Sequence, residues 1–354
     1  DARREVHRRN VLLDSGEDPD RDRPDRAAGD RSFAALADMV LKAKEKTTRL
    51  KTQALRKDAV ARYLKPAWGD RAANKVTRAD VIELVEGIRD TGKGITANRI
   101  RSTANMIYNE GVYREFGGRG WLAYKPVHGT KPPLEVEPTR NRFLSREEIA
   151  RLWITLEDQG VLVEAIGKLT VLTGQRIGSV LKAQWDGIDL DAGVWTTPPE
   201  HHKGGREIKT PLSAEAQAVI EKLAKLKLHE VWLFPSREGA KLPHIGNVSS
   251  KTLQRVREQA GLIGWTWHDL RRTLRVWMVS APDHPRTPGL GIPADVVDHG
   301  LLTHEEPSLG VTRYLPDSER VWLRFAEKRD ALERWSVFVM AAVAETSDSL
   351  AASA

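Results

Sequence analysis

The sequence predicts a mainly α-helical chain with a small antiparallel β-sheet, an α+β architecture divided between two domains. Amphipathic stretches with helical spacing fill most of the chain from Ser32 onward. A proline-rich stretch without apolar periodicity, residues 124–142, is predicted to be the linker between the two domains. The chain has 354 residues, more than a single hydrophobic core usually serves.

Composition narrows the class of protein before any motif is considered. Lys and Arg number 56 against 49 Asp and Glu, and the formal net charge of +7 favours a polyanionic partner. The absence of cysteine excludes a disulfide framework, a thiolate zinc site and a cysteine nucleophile. No apolar run approaches a membrane span and no signal peptide is visible, so we expect a cytoplasmic protein without a membrane partner.

The first predicted domain, residues 32–123, is helical throughout. Its apolar residues at helical spacing are Phe33, Leu36, Met39 and Val40; Leu50, Ala54 and Leu55; Val81, Leu84, Val85 and Ile88; and Ile100, Ala104 and Ile107. Thr77 is the predicted N-cap of the third helix. Residues 1–31, dominated by Arg and Asp, are expected to form a solvated helix and a linker.

The second predicted domain, residues 143–316, opens with a capping box formed by Ser145 and Glu148. Helices are predicted near 146–156, 161–173, 214–227, 249–260, 267–280 and 293–301. The runs 193–200 and 206–212 have the composition of strands. They flank a turn at 203–206, which predicts a β-hairpin.

The C-terminal segment, residues 317–344, is predicted to form a long helix. Its apolar face contains Val321, Phe325, Leu332, Trp335 and Val339. The final residues, 345–354, are expected to be a disordered tail.

The stretch "TWHDLRRT", residues 266–273, indicates an anion site. Thr266 and Asp269 are placed to cap a helix, so that His268, Arg271 and Arg272 fall in its first turn. A helix N-terminus is already partly positive, and cations are disfavoured there unless an anion binds. A phosphate is the simplest such anion.

Four other residues are candidates for chemistry, although each has an ordinary structural explanation when taken alone. Arg176 follows a helix that ends at Gly174, where a capping or ion-pairing role would suffice. Lys203 stands at the predicted hairpin tip, where lysines are usually solvated. His304 and Tyr314 lie in a bend near a proline, where an aromatic residue is commonly a core or loop side chain.

The order of these residues resembles the tyrosine recombinases, the phage-type integrases, and the resemblance covers nearly the whole chain. The stretches that look like that family's catalytic blocks are "LTGQRIGSVLKAQWDGIDL", "HHKGGREIKTPLS", "WHDLRRT" and "LLTHEEPSLGVTRY". Residues 32–123 are similar to the family's core-binding domain, and 1–31 to a remnant of its arm-binding region. Ser179 stands where family members often carry an acidic residue.

The resemblance implies a site-specific recombinase that cuts and rejoins DNA through a 3′-phosphotyrosyl intermediate, integrating or excising a mobile element. Tyr314 is then the nucleophile, and Lys203 is the general acid for the leaving 5′ oxygen. His268 assists proton transfer at Tyr314 or contacts the phosphate.

The remaining implied catalytic residues bind the phosphate itself. Arg176 and Arg271 grip its non-bridging oxygens, because guanidinium groups bind phosphate bidentately, and His304 donates another hydrogen bond. Neither ATP nor a metal ion is expected, since the covalent link conserves the bond. Asp295, Asp298 and His299 could be metal ligands, but a helix face explains them more simply.

DNA contact is predicted for a cation-rich run, residues 41–57, although a solvated helix face would have the same composition. The predicted DNA-binding residues are Lys42, Lys44, Lys46, Arg49, Lys51, Arg56 and Lys57, together with Arg272. The resemblance implies double-stranded attachment sites as partner and a tetramer on DNA, with room for an accessory excision factor. It places the protein in the bacterial cytoplasm, associated with the nucleoid.

Three alternatives stay open at this stage. In the family the C-terminal segment docks on a neighbouring protomer, but the same apolar face could be buried on its own domain. A type IB topoisomerase-like enzyme uses similar residues. A catalytically idle DNA-binding or regulatory protein could keep the same fold.

Overall fold

The computed structural model describes residues 7, 11, 31–114, 122, 124–202, 205–302, 322 and 324–353. The chain divides into two compact units, residues 1–139 and 140–354. The described part of the chain is mainly helical with one three-stranded antiparallel sheet, which confirms the predicted fold class. None of its helices combines the length and the apolarity that crossing a membrane requires.

The N-terminal unit is built from helices around one apolar core. Its helices are α1 (Phe33–Lys44), α2 (Leu50–Ala59), α3 (Lys65–Trp68), α4 (Arg78–Asp90) and α5 (Gly94–Tyr113), with a π-helical segment, Val60–Leu64, between α2 and α3. Phe33 packs edge-on against Trp68 with ring centroids 5.3 Å apart. The buried Tyr108 hydroxyl donates to the Ala73 carbonyl at 2.9 Å, so the centre of the core is also fixed by a hydrogen bond.

The predicted helix that contains Leu50, Ala54 and Leu55 is present as α2, but its apolar stripe does not face the core. Leu50 is 83% exposed and Leu55 is 59% exposed, and Ala59 is the buried residue of this helix. The chain reaches the core one turn later, through Val60 and Leu64 of the π-helical segment. Apolar periodicity shows that a helix has an apolar side, but not that another element covers it.

The start of α4 is fixed by the cap that the sequence predicts. The Thr77 N–H and hydroxyl both donate to the Asp80 carboxylate at 2.7 Å, and the Asp80 N–H donates back to Thr77 Oγ1 at 3.2 Å. Hydrogen bonding from Arg71, helped by Thr77, lowers the pKa of Asp80 to about 2. Asp80 therefore stays ionised and stabilises the positive end of the helix.

The C-terminal unit combines helices with the sheet. Its helices are α6 (Arg146–Glu157), α7 (Val161–Thr173), α8 (Ile177–Val180), α9 (Ala214–Leu226), α10 (Ser250–Gln259), α11 (Trp267–Val279) and α12 (Phe325–Ser353), and its strands are β1 (Ile188–Asp189), β2 (Val194–Thr197) and β3 (Ile208–Pro211). The strand order is β1-β2-β3. Trp195 pairs with Thr210 and Thr197 with Ile208, which confirms the predicted hairpin.

Helix boundaries in this unit follow the sequence signals closely. The capping box at Ser145 is present, with Ser145 N–H donating to the Glu148 carboxylate at 2.9 Å.

The predicted helix near 293–301 is largely a π-helical segment, Val296–Leu301. Such wide turns are frequent where a chain passes a functional site.

Helix α12 packs on its own unit. Leu332, Trp335 and Val339 of the predicted apolar face are buried in the same core as α6 and α7. The Trp335 indole N–H donates to the Val171 carbonyl at 2.9 Å. These three residues are therefore buried on their own domain, which is one of the two arrangements that the sequence left open. Val321 lies outside the described residues.

The prediction of a disordered tail is wrong for most of its length, because α12 continues to Ser353. An ion pair between Arg146 and Glu345, 2.8 Å apart, holds this part of the helix against the start of α6. Residues 345–353 therefore stay helical because they extend a helix that the buried part of α12 has already nucleated.

Truncating Trp335 tests the docking of α12. We expect Trp335→Ala to lower the free energy of unfolding by about 3–5 kcal/mol, because it removes a fully buried ring and a hydrogen bond. Val337, 66% exposed on the same helix, is the control, and Val337→Ala should change stability by about 0.5 kcal/mol or less. Equal effects of the two variants in urea unfolding of the full chain would contradict the packing.

Candidate phosphate-binding site

The candidate site is organised around Arg271 on the first turns of α11. Its side chain lies inside the unit, 3% exposed. Arg271 Nη1 donates to the Gly174 carbonyl at 2.8 Å, and Nη2 donates to the Leu302 carbonyl. One guanidinium therefore joins three parts of the chain: α11, the turn after α7 and the end of the π-helical segment Val296–Leu301.

Gly174 is required at the turn that Arg271 binds. Its φ is +59°, in the left-handed region that other residues adopt only with strain. A Cβ at this position would lie 2.8 Å from Leu274 Cδ1, so α11 also leaves no space for a side chain. The predicted C-cap of α7 is therefore confirmed, and it presents its carbonyl to Arg271.

Arg271 carries a positive charge in a place where charge is costly. Burial, followed by the nearby charge of Arg176, lowers the pKa of Arg271 to about 9, while Asp298 opposes the shift. Asp298 is itself held by Arg275, with Nε–Oδ1 and Nη2–Oδ2 distances of 2.6 and 2.8 Å. Arg271 still remains protonated at neutral pH, and an anion beside it and Arg176 would lower the electrostatic cost of both.

Arg176 is positioned by the turn into α8, of which it is the N-cap residue. Its Nη1 lies 3.2 Å from Nε2 of His202, a buried histidine at the end of the first hairpin arm. Burial, and then the charge of Arg206, lowers the pKa of Arg176. Arg176 is therefore a held, partly desolvated cation, not a freely moving surface side chain.

Gln175 fixes the α7–α8 turn, which also carries Arg176. Its buried amide donates to Thr210 Oγ1 at 3.1 Å and to the Leu301 carbonyl at 3.3 Å. Strand β3, the α7–α8 turn and the π-helical segment are thereby joined at one point. This residue was not singled out from the sequence, because a buried glutamine beside a glycine turn has no characteristic pattern.

His268 lies on the exposed side of α11. Partial burial of its ring lowers its pKa, as do the charges of Arg271 and Arg272, and Asp269 opposes them. Arg176 also lowers this pKa, which shows that its charge reaches the same region. His268 is consequently favoured in its neutral form, able to accept a proton.

Asp269 compensates the outer cations of the site. Its fully buried carboxylate accepts from Thr266 N–H and Oγ1, both at 2.8 Å, which confirms the predicted cap. It also accepts from Arg140 Nε at 2.8 Å and from Arg272 Nη1 at 2.9 Å. The cap could be predicted locally, but Arg140 is 129 positions away in sequence.

The six predicted catalytic residues divide into two groups. Arg176, His268 and Arg271 are described: Arg271 binds the Gly174 carbonyl in the turn that leads into Arg176, and His268 lies one helical turn before Arg271. Lys203, His304 and Tyr314 lie outside the described residues. Across 31–114, 124–202, 205–302 and 324–353, no group of three or more His, Asp or Glu is arranged to hold a metal ion.

The predicted DNA-binding cations of the N-terminal unit differ in how strongly they are already engaged. Those whose residues are exposed are Lys42, Lys46, Arg49, Lys51 and Lys57. Lys44 lies 2.5 Å from Glu110, and Lys57 lies 2.8 Å from Glu45. Arg56 is half-buried and donates to Thr48 Oγ1 at 3.4 Å. Asp295 and Asp298, considered above as metal ligands, pair with Arg324 and Arg275.

Two family models match the chain, one in each unit. The model of the phage integrase family matches residues 142–286, which include Arg176, His202, His268 and Arg271. The model of the phage integrase central domain matches residues 33–118. Tyr314 lies beyond both matches.

The relatives that match the chain include prophage and phage integrases. The chain is 24% identical over 211 residues to prophage integrase IntA of Escherichia coli strain K12, covering 58% of this chain and 48% of the relative. It is 25% identical over 150 residues to the integrase of Enterobacteria phage 434, covering 42% and 39%. The chain therefore spans about half the length, or less, of these relatives.

Solved structures share the fold. A lambda integrase tetramer bound to a Holliday junction is 20% identical, with a TM-score of 0.63 over 89% of this chain and 86% of that one. The integrase of transposon Tn1549 in complex with circular intermediate DNA is 13% identical, with a TM-score of 0.58 over 83% and 99%. At these identities the likeness concerns the fold.

Neutralising Asp269 tests its compensating role. We expect Asp269→Asn to lower the free energy of unfolding by about 1–3 kcal/mol, because the helix cap loses its charged acceptor and the partly exposed Arg140 and Arg272 lose a charged partner. Asp283→Asn, at an exposed loop position, should stay within about 0.5 kcal/mol of the wild type. The account of Asp269 fails if urea unfolding shows the two substitutions to be equivalent.

Proposed function

The chain belongs to the phage integrase family of tyrosine recombinases, and we propose that it is a site-specific DNA recombinase that acts through a 3′-phosphotyrosyl intermediate. The observation that carries the proposal is the arrangement of Arg176 and Arg271. The Arg271 guanidinium is oriented by two backbone carbonyls, one of them on the turn that leads into Arg176, and Arg176 itself contacts the His202 imidazole. Such a pair is suited to the two non-bridging oxygens of a phosphodiester.

The proposed first step breaks one phosphodiester bond and forms another. The Tyr314 phenol oxygen attacks phosphorus, a P–O bond to Tyr314 forms, and the bond to the 5′ oxygen breaks. Lys203 gives a proton to the leaving 5′ oxygen, and His268 in its neutral form accepts the phenol proton. Attack by a second 5′-hydroxyl reverses these changes and joins a new strand, so the reaction is balanced without an external energy source.

Chain connectivity supports the roles of the residues outside the described part. Lys203 follows His202, which contacts Arg176. His304 follows two residues after Leu302, whose carbonyl is bound by Arg271. Along the chain, the proposed proton donor and the third proposed phosphate ligand thus follow residues that contact the two arginines, which supports their proposed roles.

The wider proposal concerns partners. The relatives come from bacteria and bacteriophages, among them Escherichia coli strain K12 and Enterobacteria phage 434, which favours action on double-stranded attachment sites in a bacterial cytoplasm. The lambda integrase solved as a tetramer on a Holliday junction supports self-association on DNA. In that assembly the C-terminal segment is the proposed contact between protomers, through residues other than the buried Leu332, Trp335 and Val339.

A covalent-trapping assay tests the chemistry. Incubated with nicked DNA carrying an attachment site, the wild type should form a covalent protein–DNA adduct and Tyr314→Phe should form none, because the phenol oxygen is the attacking atom. Arg271→Lys keeps the charge but loses the two carbonyl contacts, and should slow adduct formation by roughly 10²–10³-fold. No adduct with the wild type would favour an idle DNA-binding protein. An adduct with supercoil relaxation but no strand exchange would favour a topoisomerase.

Salt dependence tests the proposed DNA surface of the N-terminal unit. Lys46→Gln and Lys51→Gln should each reduce the slope of log affinity against log salt by about 0.9, the value for one phosphate contact. Lys44→Gln should reduce it less, because Glu110 already binds that ammonium. Equal slopes for all three variants and the wild type would show that this surface does not bind DNA.

A further inference from the structure

His202 contacts Arg176, and the proposed reaction gives His202 no role. Its side chain is buried, 4% exposed, although the hairpin turn that follows it leads toward solvent-facing residues such as Gly205. Its Nε2 lies 3.2 Å from Nη1 of Arg176. A histidine placed inside a protein beside an arginine needs a physical reason, because two cations would repel one another there.

The chemistry of the pair fixes the direction of the hydrogen bond. A guanidinium has five donors and no acceptor, so the contact is a hydrogen bond only if His202 Nε2 accepts. The ring must then be neutral, with its proton on Nδ1. A neutral acceptor orients Arg176 without cancelling its charge, whereas a carboxylate in this position would compete with a phosphate for the guanidinium.

The backbone that carries His202 is anchored independently of Arg176. The His202 N–H donates to the Pro199 carbonyl at 3.2 Å, closing a short 3₁₀ turn. The neighbouring His201 ring lies 5.7 Å from the ring of Trp232, which in turn lies 4.8 Å from the ring of buried His244. This aromatic row attaches the end of the hairpin arm to the loop that contains Trp232.

We propose that His202 is a positioning residue: it holds the Arg176 guanidinium in the orientation that a phosphate oxygen requires. The inference rests on the proposed function, because it assigns that phosphate to the DNA backbone. His202 also ties Arg176 to the 3₁₀ turn Pro199–His201 at the end of the hairpin arm. A change at His202 should therefore affect the chemical step more than DNA affinity.

The first experiment compares substitutions that keep or remove the acceptor. His202→Leu has no acceptor, and single-turnover cleavage at saturating protein should slow by about 10- to 100-fold, the effect expected for losing one hydrogen bond to a charged group. DNA affinity should change less than about threefold, because most of it comes from other phosphate contacts. His202→Gln, whose amide oxygen can reach the same place, should recover most of the rate.

A matched control comes from the same unit. His229 is exposed and its Nδ1 accepts a hydrogen bond from the Val231 N–H at 2.9 Å. His229→Leu also removes a neutral acceptor, but should leave the cleavage rate unchanged. If His202→Leu cleaves at the wild-type rate, or if His202→Gln is as slow as His202→Leu, the positioning role is wrong.

A modified substrate separates Arg176 from Lys203. In DNA with sulfur in place of the bridging 5′ oxygen, the thiolate leaves without protonation, so a defect in proton donation disappears. A defect in phosphate binding persists. We expect His202→Leu to stay slow on this substrate. Recovery of the wild-type rate would overturn the proposal, since His202 would then act through the proton donor.

A spectroscopic measurement separates this inference from the proposed function. The ¹⁵N NMR signals of selectively labelled histidine in the full chain, with His202→Gln used to assign the His202 signal, report which ring nitrogen carries the proton. The proposal requires protonated Nδ1 and unprotonated Nε2, whether or not the protein cleaves DNA. A ring protonated on Nε2 at neutral pH would overturn the inference. Absence of any wild-type adduct with the expected tautomer would instead contradict the proposed function.

Discussion

The buried guanidinium of Arg271 is the constraint on which the site depends. It binds two backbone carbonyls, those of Gly174 and Leu302, that belong to distant parts of the sequence. A carbonyl left without this donor inside the protein would lose a hydrogen bond where water cannot replace it. The α7–α8 turn, α11 and the end of the π-helical segment are therefore held at fixed separations, and Arg176 is positioned as part of that turn.

The arginines of the site differ in how deeply they are buried and in the groups that they bind. The outer arginines bind carboxylates: Arg140 and Arg272 bind Asp269, and Arg275 binds Asp298. Arg271 instead donates to two carbonyls, which orient it without neutralising it, and Arg176 contacts the His202 imidazole. This distribution explains how a helix N-terminus can carry so many cations. Most of their repulsion is cancelled locally, and the remaining positive charge is directed to where an anion can bind.

Features set by neighbouring residues could be predicted from the sequence. The capping boxes at Ser145 and Thr266, the glycine end of α7 and the β-hairpin all follow from a few adjacent positions. Features that depend on what packs against an element could not. The exposure of Leu50 is one such case.

The same distinction applies to the site. Arg176, His268 and Arg271 were identifiable because their order resembles a known family. Their supports were not, since the Arg140–Asp269 contact joins residues 129 positions apart and the His202–Arg176 contact joins residues 26 apart. Neither pair leaves a local pattern.

The most direct measurement is a structure of the full chain trapped covalently on its DNA. The account predicts one backbone phosphate within hydrogen-bond distance, about 2.7–3.2 Å, of both Arg176 and Arg271, with its phosphorus bonded to the Tyr314 oxygen. A trapped phosphate bound away from either guanidinium, or joined to a different side chain, would contradict it.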